Sequence, residues 1–235
     1  MNSTVTTPLH DKFLNDPSMT VDHRTLYWII GLAATLIMTM TVADFAAAKF
    51  LDFGWVVTPA GALLFAVVFV VRDMLHKLAG AEVVRQTILI GVCLNLAIAA
   101  FMYVMTFLPA PAFRPSVNFD AVFRMSLGIV LGSEIATLAS QWINTYVYQW
   151  LWDRDYGSWA RTFFSNLLSL PVDAVLFVLL AFTVFPMILG GSVMNFDTAV
   201  ARIVSGSTLL KLLIILALTP LVSLAPTREE ARDMR

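Results

Sequence analysis

Residues 161–182, RTFFSNLLSLPVDAVLFVLLAF, decide how the rest of the chain is read. The stretch is long and apolar enough to cross a bilayer, yet it carries Arg161, Ser165, Asn166, Ser169, Pro171 and Asp173. On a helix Thr162, Ser165, Ser169 and Asp173 recur three or four residues apart, so they form one polar stripe on an otherwise apolar rod. A carboxylate at membrane depth costs about 2.5–3.5 kcal/mol on insertion scales, so Asp173 is expected to point into a helix bundle. There it is either a satisfied packing contact or part of a site for a polar solute.

The whole chain supports a membrane reading. Its 235 residues are 59% hydrophobic and 13% charged, with mean hydropathy +0.79, far from the roughly 25% charged content of a soluble domain. A formal net charge of -1 without a basic cluster gives no footprint for nucleic acid. The lone Cys93 excludes a disulfide framework and a cysteine metal site within the chain. Residues 1–25 are polar, with Pro8 and Pro17, and lack the order of a cleaved signal, so they read as a soluble tail.

Apolar runs predict six transmembrane helices at about 26–48, 60–71, 83–108, 121–151, 161–189 and 203–224. The expected fold is an all-α integral membrane protein: a compact bundle over 26–224 whose second helix is short or tilted, with tails at 1–25 and 225–235. Thr58-Pro59-Ala60-Gly61 suits the start of that second helix, and Arg72-Asp73 its close. Pro109, Pro111 and Pro115 stop the third helix, and Gly190-Gly191 follows the fifth. Six spans place Lys12, Arg24, Arg72, Lys77, Arg85, Arg154, Arg161, Arg228, Arg232 and Arg235 on one side and Lys49, Arg114, Arg124 and Arg202 on the other. By the positive-inside rule both termini are expected in the cytoplasm and the protein in the cytoplasmic (inner) membrane.

A second stripe lies on the fourth helix, where Glu134, Thr137, Gln141, Asn144 and Tyr148 share a face. Two striped helices, each with a carboxylate, can line one pocket. Lys211, deep in the sixth helix, is expected to pair with Asp173 or Glu134 and to free the outer carboxylate oxygen for a ligand. Asp44 has Ala43, Ala46, Ala47 and Ala48 beside it, which allows close helix contact. Asp73 and Lys77, four apart, suit a pair at the membrane edge. Trp142, Trp150, Trp152 and Trp159 suit interfacial anchors, and of these only Trp142 lies deep enough for the alternative of a stacking wall. HExxH, GxSxG and P-loop motifs are absent, the histidines are His10, His23 and His76, and an enzyme is not expected.

Taken in order, Thr41-Val42-Ala43-Asp44-Phe45-Ala46-Ala47-Ala48-Lys49, Pro59-Ala60-Gly61, Phe65, Phe69, Asp73, Gly80 and Arg85 resemble the first half of the queuosine precursor transporter family, also called the vitamin uptake transporter family. Ser133, Ala136, Ser140-Gln141, Arg161, Ser165, Ser169, Asp173 and Lys211 resemble its second half. The resemblance spans about 26–224. It implies a six-helix importer of 7-deazaguanine bases, such as 7-cyano-7-deazaguanine, for tRNA modification. The chain departs from the family pattern at Asp44 (usually Asn), Lys77 (usually Glu), Asn144 (usually Asp) and Glu134 (an apolar position).

The expected solute-binding set is Asp173, Glu134, Gln141, Asn144, Ser169 and Lys211, with Asp44 and Asp73 as further candidates. One carboxylate can accept the parallel N–H and amino donors of a guanine-like edge, while Gln141 or Asn144 meets its carbonyl. No cofactor, metal or nucleic-acid partner is expected. The expected partners are the deazapurine and membrane lipid, and self-association stays open. Two rivals remain at this point: a substrate-capture subunit of an energy-coupling-factor vitamin transporter, and a membrane scaffold held by structural charge pairs.

Overall fold

The computed structural model describes residues 23–111, 117–189, 193–194 and 198–225. The expected tails with His10, Lys12, Arg228, Arg232 and Arg235, as well as Arg114, Pro115 and Gly190-Gly191, lie outside the described residues.

Six helices account for most of the described chain: α1 (His23–Ala46), α2 (Gly61–Ala79), α3 (Ala81–Met105), α4 (Val117–Trp152), α5 (Ser158–Leu189) and α6 (Thr198–Val222). The protein is therefore an all-α membrane protein. Four of these helices, over Arg24–Ala46, Ala81–Met105, Ser158–Leu189 and Val200–Val222, are long and apolar enough to cross a membrane by length and composition alone. The other two, α2 and α4, carry much of the buried polarity. At 1.5 Å per residue the 36 residues of α4 reach about 54 Å, well beyond the roughly 30 Å of a hydrocarbon core.

The second helix is longer than its apolar run suggested. It passes through Arg72-Asp73 and ends only at Ala79, giving 19 residues. Arg72, Asp73, His76 and Lys77 are all buried, so these charges lie inside the bundle instead of marking the helix end. The stop comes at Gly80, whose φ of 88° needs a residue without a Cβ, and α3 starts at the next residue. Before α2 the chain makes a short hairpin that the hydropathy pattern did not reveal. Strand β1 (Phe50–Asp52) pairs antiparallel with β2 (Val57–Pro59), Phe50 opposite Pro59, and the Asp52 carboxylate accepts from Gly54 N at 2.7 Å in the turn.

One hydrophobic core gathers Leu36 and Met40 of α1, Phe65, Phe69 and Leu75 of α2, Val84 and Ile88 of α3 and Ile215 of α6. A second joins Ala47, Ile129, Val178, Phe182 and Ile203 beside the hairpin. Outward faces carry Met38, Val42, Ile90, Phe101 and Leu168, as lipid contact demands.

Two glycines set how closely the rods approach. A Cβ at Gly61 would lie 2.1 Å from the Ala43 carbonyl oxygen, so the start of α2 sits directly on the alanine face of α1. A Cβ at Gly132 would lie 2.6 Å from Ala181 N, where α4 presses on a π-helical turn of α5 over Leu180–Val184. That wide turn is used: the Phe182 carbonyl accepts from Met194 N at 2.8 Å, which draws the returning chain back onto α5.

At the opposite end of the bundle, the Lys77 ammonium donates to the carbonyls of Val222 at 3.3 Å and Ala225 at 2.5 Å, capping the C-terminus of α6. Lys77→Met should remove about 1.5–3 kcal/mol of charge-assisted bonding, read as a lower unfolding temperature in detergent. Gly61→Ala should cost about 1–3 kcal/mol by overpacking, whereas Gly31→Ala, with nothing within 4 Å of the new methyl, should be neutral in the same assay.

Candidate functional site

The stripe on α5 faces inward along its length. Thr162, Ser165, Asn166, Ser169 and Asp173 are all buried, as are Glu134, Thr137, Gln141, Asn144 and Tyr148 on α4. The two helices lie against each other, so their polar atoms meet. Three polar groups result.

The middle group is built on Asp173. Its Oδ2 accepts from Lys211 Nζ at 2.5 Å and its Oδ1 from Ser140 Oγ at 3.1 Å, which ties α4, α5 and α6 together. The ammonium also lies 5.0 Å from the Phe65 ring centroid of α2. A carboxylate offers about four lone-pair positions. With two used, the carboxylate keeps acceptor capacity for a further pair of donors.

A second group lies toward the hairpin. Asn95 Nδ2 donates both to Asp44 Oδ2 at 2.9 Å and to Glu134 Oε1 at 2.7 Å. Ser133 Oγ donates to Asp44 Oδ1, and Thr41 Oγ1 to Asn95 Oδ1. Helices α1, α3 and α4 thus meet at two carboxylates.

The third group fills the interior on the far side of Asp173. Arg72 Nη1 donates to Gln141 Oε1 at 2.8 Å, and Arg72 Nη2 to Asp73 Oδ1. Asn166 Nδ2 reaches Asp73 Oδ2 at 3.3 Å, while Asn144 Nδ2 donates to Asn166 Oδ1 at 2.6 Å and to Ser169 Oγ at 3.1 Å. Beyond it His76 stacks on Tyr148 at 4.5 Å and meets Gln149 at 3.1 Å.

Between the first two groups lies a narrow hollow of about 380 Å³, counting its open mouth. Asp44 and Ser133 form one wall and Asp173, Lys211 and Ser207 the other, with Phe65, Phe177, Pro59 and Gly61 completing it. Its enclosed core is only water-sized, so a bicyclic solute requires the walls to part.

The expected site residues therefore divide. Asp173, Lys211 and Asp44 line the hollow, and Glu134 stands beside Asp44 on the shared Asn95 amide. Gln141, Asn144, Ser169 and Asp73 belong to the interior group around Arg72 and do not line the hollow. The expected edge pair is replaced by other partners: Asp73 bonds Arg72 and Asn166, and Lys77 caps α6.

Trp142 fits the interfacial reading and not the stacking wall: it is 55% exposed with the Arg85 guanidinium 5.2 Å from its ring, because one residue after Gln141 it is turned about 100° from the inward stripe. The aromatic walls are Phe65 and Phe177.

Sequence reasoning did not single out Asn95, Arg72 or Ser207. Asn95 had a signal, since it is the one polar side chain in the run 91–101, GVCLNLAIAAF, other than the cysteine. Arg72 was read as a helix end. Ser207 carried no pattern. Among the described residues no group of three or more His, Cys, Asp or Glu could hold a metal ion.

The family model described as "putative vitamin uptake transporter" matches residues 59–225, well over half of the chain. No curated protein and no solved structure matches the chain. The matched range holds α2 to α6 and all three polar groups except their α1 members, Thr41 and Asp44. With four long apolar helices, two more threaded with buried charge, and a polar hollow at their centre, this multi-pass membrane protein belongs to the vitamin uptake transporter family.

Proposed function

We propose that the protein imports a 7-deazaguanine base, such as 7-cyano-7-deazaguanine, across the cytoplasmic membrane, with both chain ends on the cytoplasmic side. The observation that carries this reading is the carboxylate of Asp173, buried at the wall of the hollow with its charge held by Lys211 and Ser140 and acceptor capacity left over. A guanine-like edge presents a ring N–H and an adjacent amino group as parallel donors, which one carboxylate accepts together. Phe65 and Phe177 supply apolar ring surface for a flat solute. Asp44 and Ser133 face it from the other wall.

The arrangement accounts for selectivity as well as affinity. A base lacking the paired donors leaves a buried carboxylate without partners, so its penalty is much larger than the loss of one contact. The interior group around Arg72 has a different task in this reading, since its side chains bond one another and hold α2, α4 and α5 in register. Pro59 and Gly61, where the hairpin joins α2, close one side of the hollow.

The test is uptake of labelled 7-cyano-7-deazaguanine by cells unable to make it. Wild type should accumulate label, and Asp173→Asn, which turns one acceptor oxygen into a donor, should lose at least tenfold of the rate at matched membrane expression. No uptake by well-folded wild type overturns the choice of solute, and unchanged uptake by Asp173→Asn overturns the site. If Asp173→Asn instead fails to reach the membrane, Ser207→Ala, on the same wall, reads the site without breaking the ion pair. It should raise the half-saturating solute concentration, and no change with either variant would leave Asp173 a structural charge.

A further inference from the structure

The buried charges of this protein are unequally provided for. Asp173 has Lys211, and Asp73 has Arg72. Asp44 and Glu134 have no cation among their bonded partners and instead accept from the same Asn95 amide nitrogen. Both residues are nearly inaccessible, and among the described residues no donor reaches Glu134 Oε2. Two negative charges that close, in a low-dielectric interior, cannot both persist.

We propose that Asp44 and Glu134 together hold one proton, and that this proton crosses the membrane with the solute. The second half rests on the importer reading and the first does not. A proton fits better than a metal cation because Asn95 Nδ2 points its hydrogens at both carboxylates, which keeps a cation out of the bridging position. Ser133 also donates into the pair, leaving Glu134 Oε2 as the oxygen open to a transferred proton. The change is a single O–H bond made and broken between a carboxyl oxygen and water.

The other charged side chains described on the surrounding elements are committed or distant. Lys211 faces the pair across the hollow but is bonded to Asp173, and on α2 Arg72 is bonded to Asp73. Arg85 and Glu82 lie at the far end of α3, three turns from Asn95. Asp120 is about four turns before Glu134 on α4, and Lys49, Asp52 and Arg202 are exposed near the hairpin. The coupling follows from shared walls. Asp44 and Ser133 belong both to the proton pair and to the lining of the hollow, so a solute that bonds them alters the affinity of the pair for its proton.

Two measurements test this. Purified protein in lipid at neutral pH should show the infrared carbonyl stretch of a buried protonated carboxylic acid, and the double variant Asp44→Asn/Glu134→Gln should lose it. In proteoliposomes clamped with valinomycin and potassium, one unit of inward pH gradient should drive about tenfold accumulation of 7-cyano-7-deazaguanine for one coupled proton. Glu134→Gln should bring that ratio to about one.

Absence of the infrared band in wild type, or its persistence in the double variant, overturns the proton site whatever transport shows. Tenfold accumulation surviving in Glu134→Gln, or accumulation following a sodium gradient instead, overturns the coupling. A band that behaves as expected, with no movement of this base under any gradient, supports the proton site and instead removes the choice of solute.

Discussion

A charge inside hydrocarbon must find its partner inside the protein, and in this bundle most of those partners reach across from another helix. Asp173 on α5 is held from α4 and α6, Asp73 on α2 from its neighbour Arg72 and from α5, and the end of α6 by Lys77 of α2. These bonds do what apolar contact alone cannot. Lipid tails are as apolar as leucine, so burying greasy surface between helices gives little preference for one register over another. Removing one member of a buried pair costs about 3–5 kcal/mol because the other is left charged and alone, and that penalty selects the register.

The hollow is a consequence of the same arrangement. Gly61 lets α2 start against the Ala43 carbonyl, and Gly132 lets α4 lie on the π-helical turn of α5. These approaches bring the walls close at one end while Phe65, Phe177 and the two acidic groups keep them from filling the middle. In the interior group around Arg72 the side chains bond one another directly, although Arg72 Nε, Gln141 Nε2 and Asn144 Oδ1 have no hydrogen-bond partner among the described residues. At the hollow the Asp173 carboxylate retains free acceptor capacity, and next to Asp44 one oxygen of Glu134 has no partner among the described residues. Two acidic residues from different helices, Asp44 and Glu134, meet there on one asparagine.

The periodicity of three and four residues told which side chains share a face, and the α4 and α5 stripes are buried as that spacing required. It could not tell which face of a neighbouring helix each stripe would meet. Gln141, Asn144 and Ser169 are on the same stripes as Glu134 and Asp173, but they lie one to three turns along, opposite Arg72, and so fall in a different polar group. Arg72-Asp73 read as a helix end because charges usually leave the membrane, whereas here two adjacent charges neutralise each other and the helix continues. The hairpin escaped because its strands are only three residues long.

Composition and the lengths of the apolar runs by themselves determined an all-α membrane protein of six helices, since hydrocarbon thickness and backbone hydrogen bonding leave a chain this apolar few other solutions. The cost of a charge at membrane depth pointed Asp173 inward and left room for Glu134, Asp44 and Lys211 beside it, and all four are buried. Only the tertiary structure decided which of these share a wall, because partners such as Asn95 and Ser140 come from rods far apart in sequence. Their meeting depends on helix rotation and depth, which hydropathy does not encode.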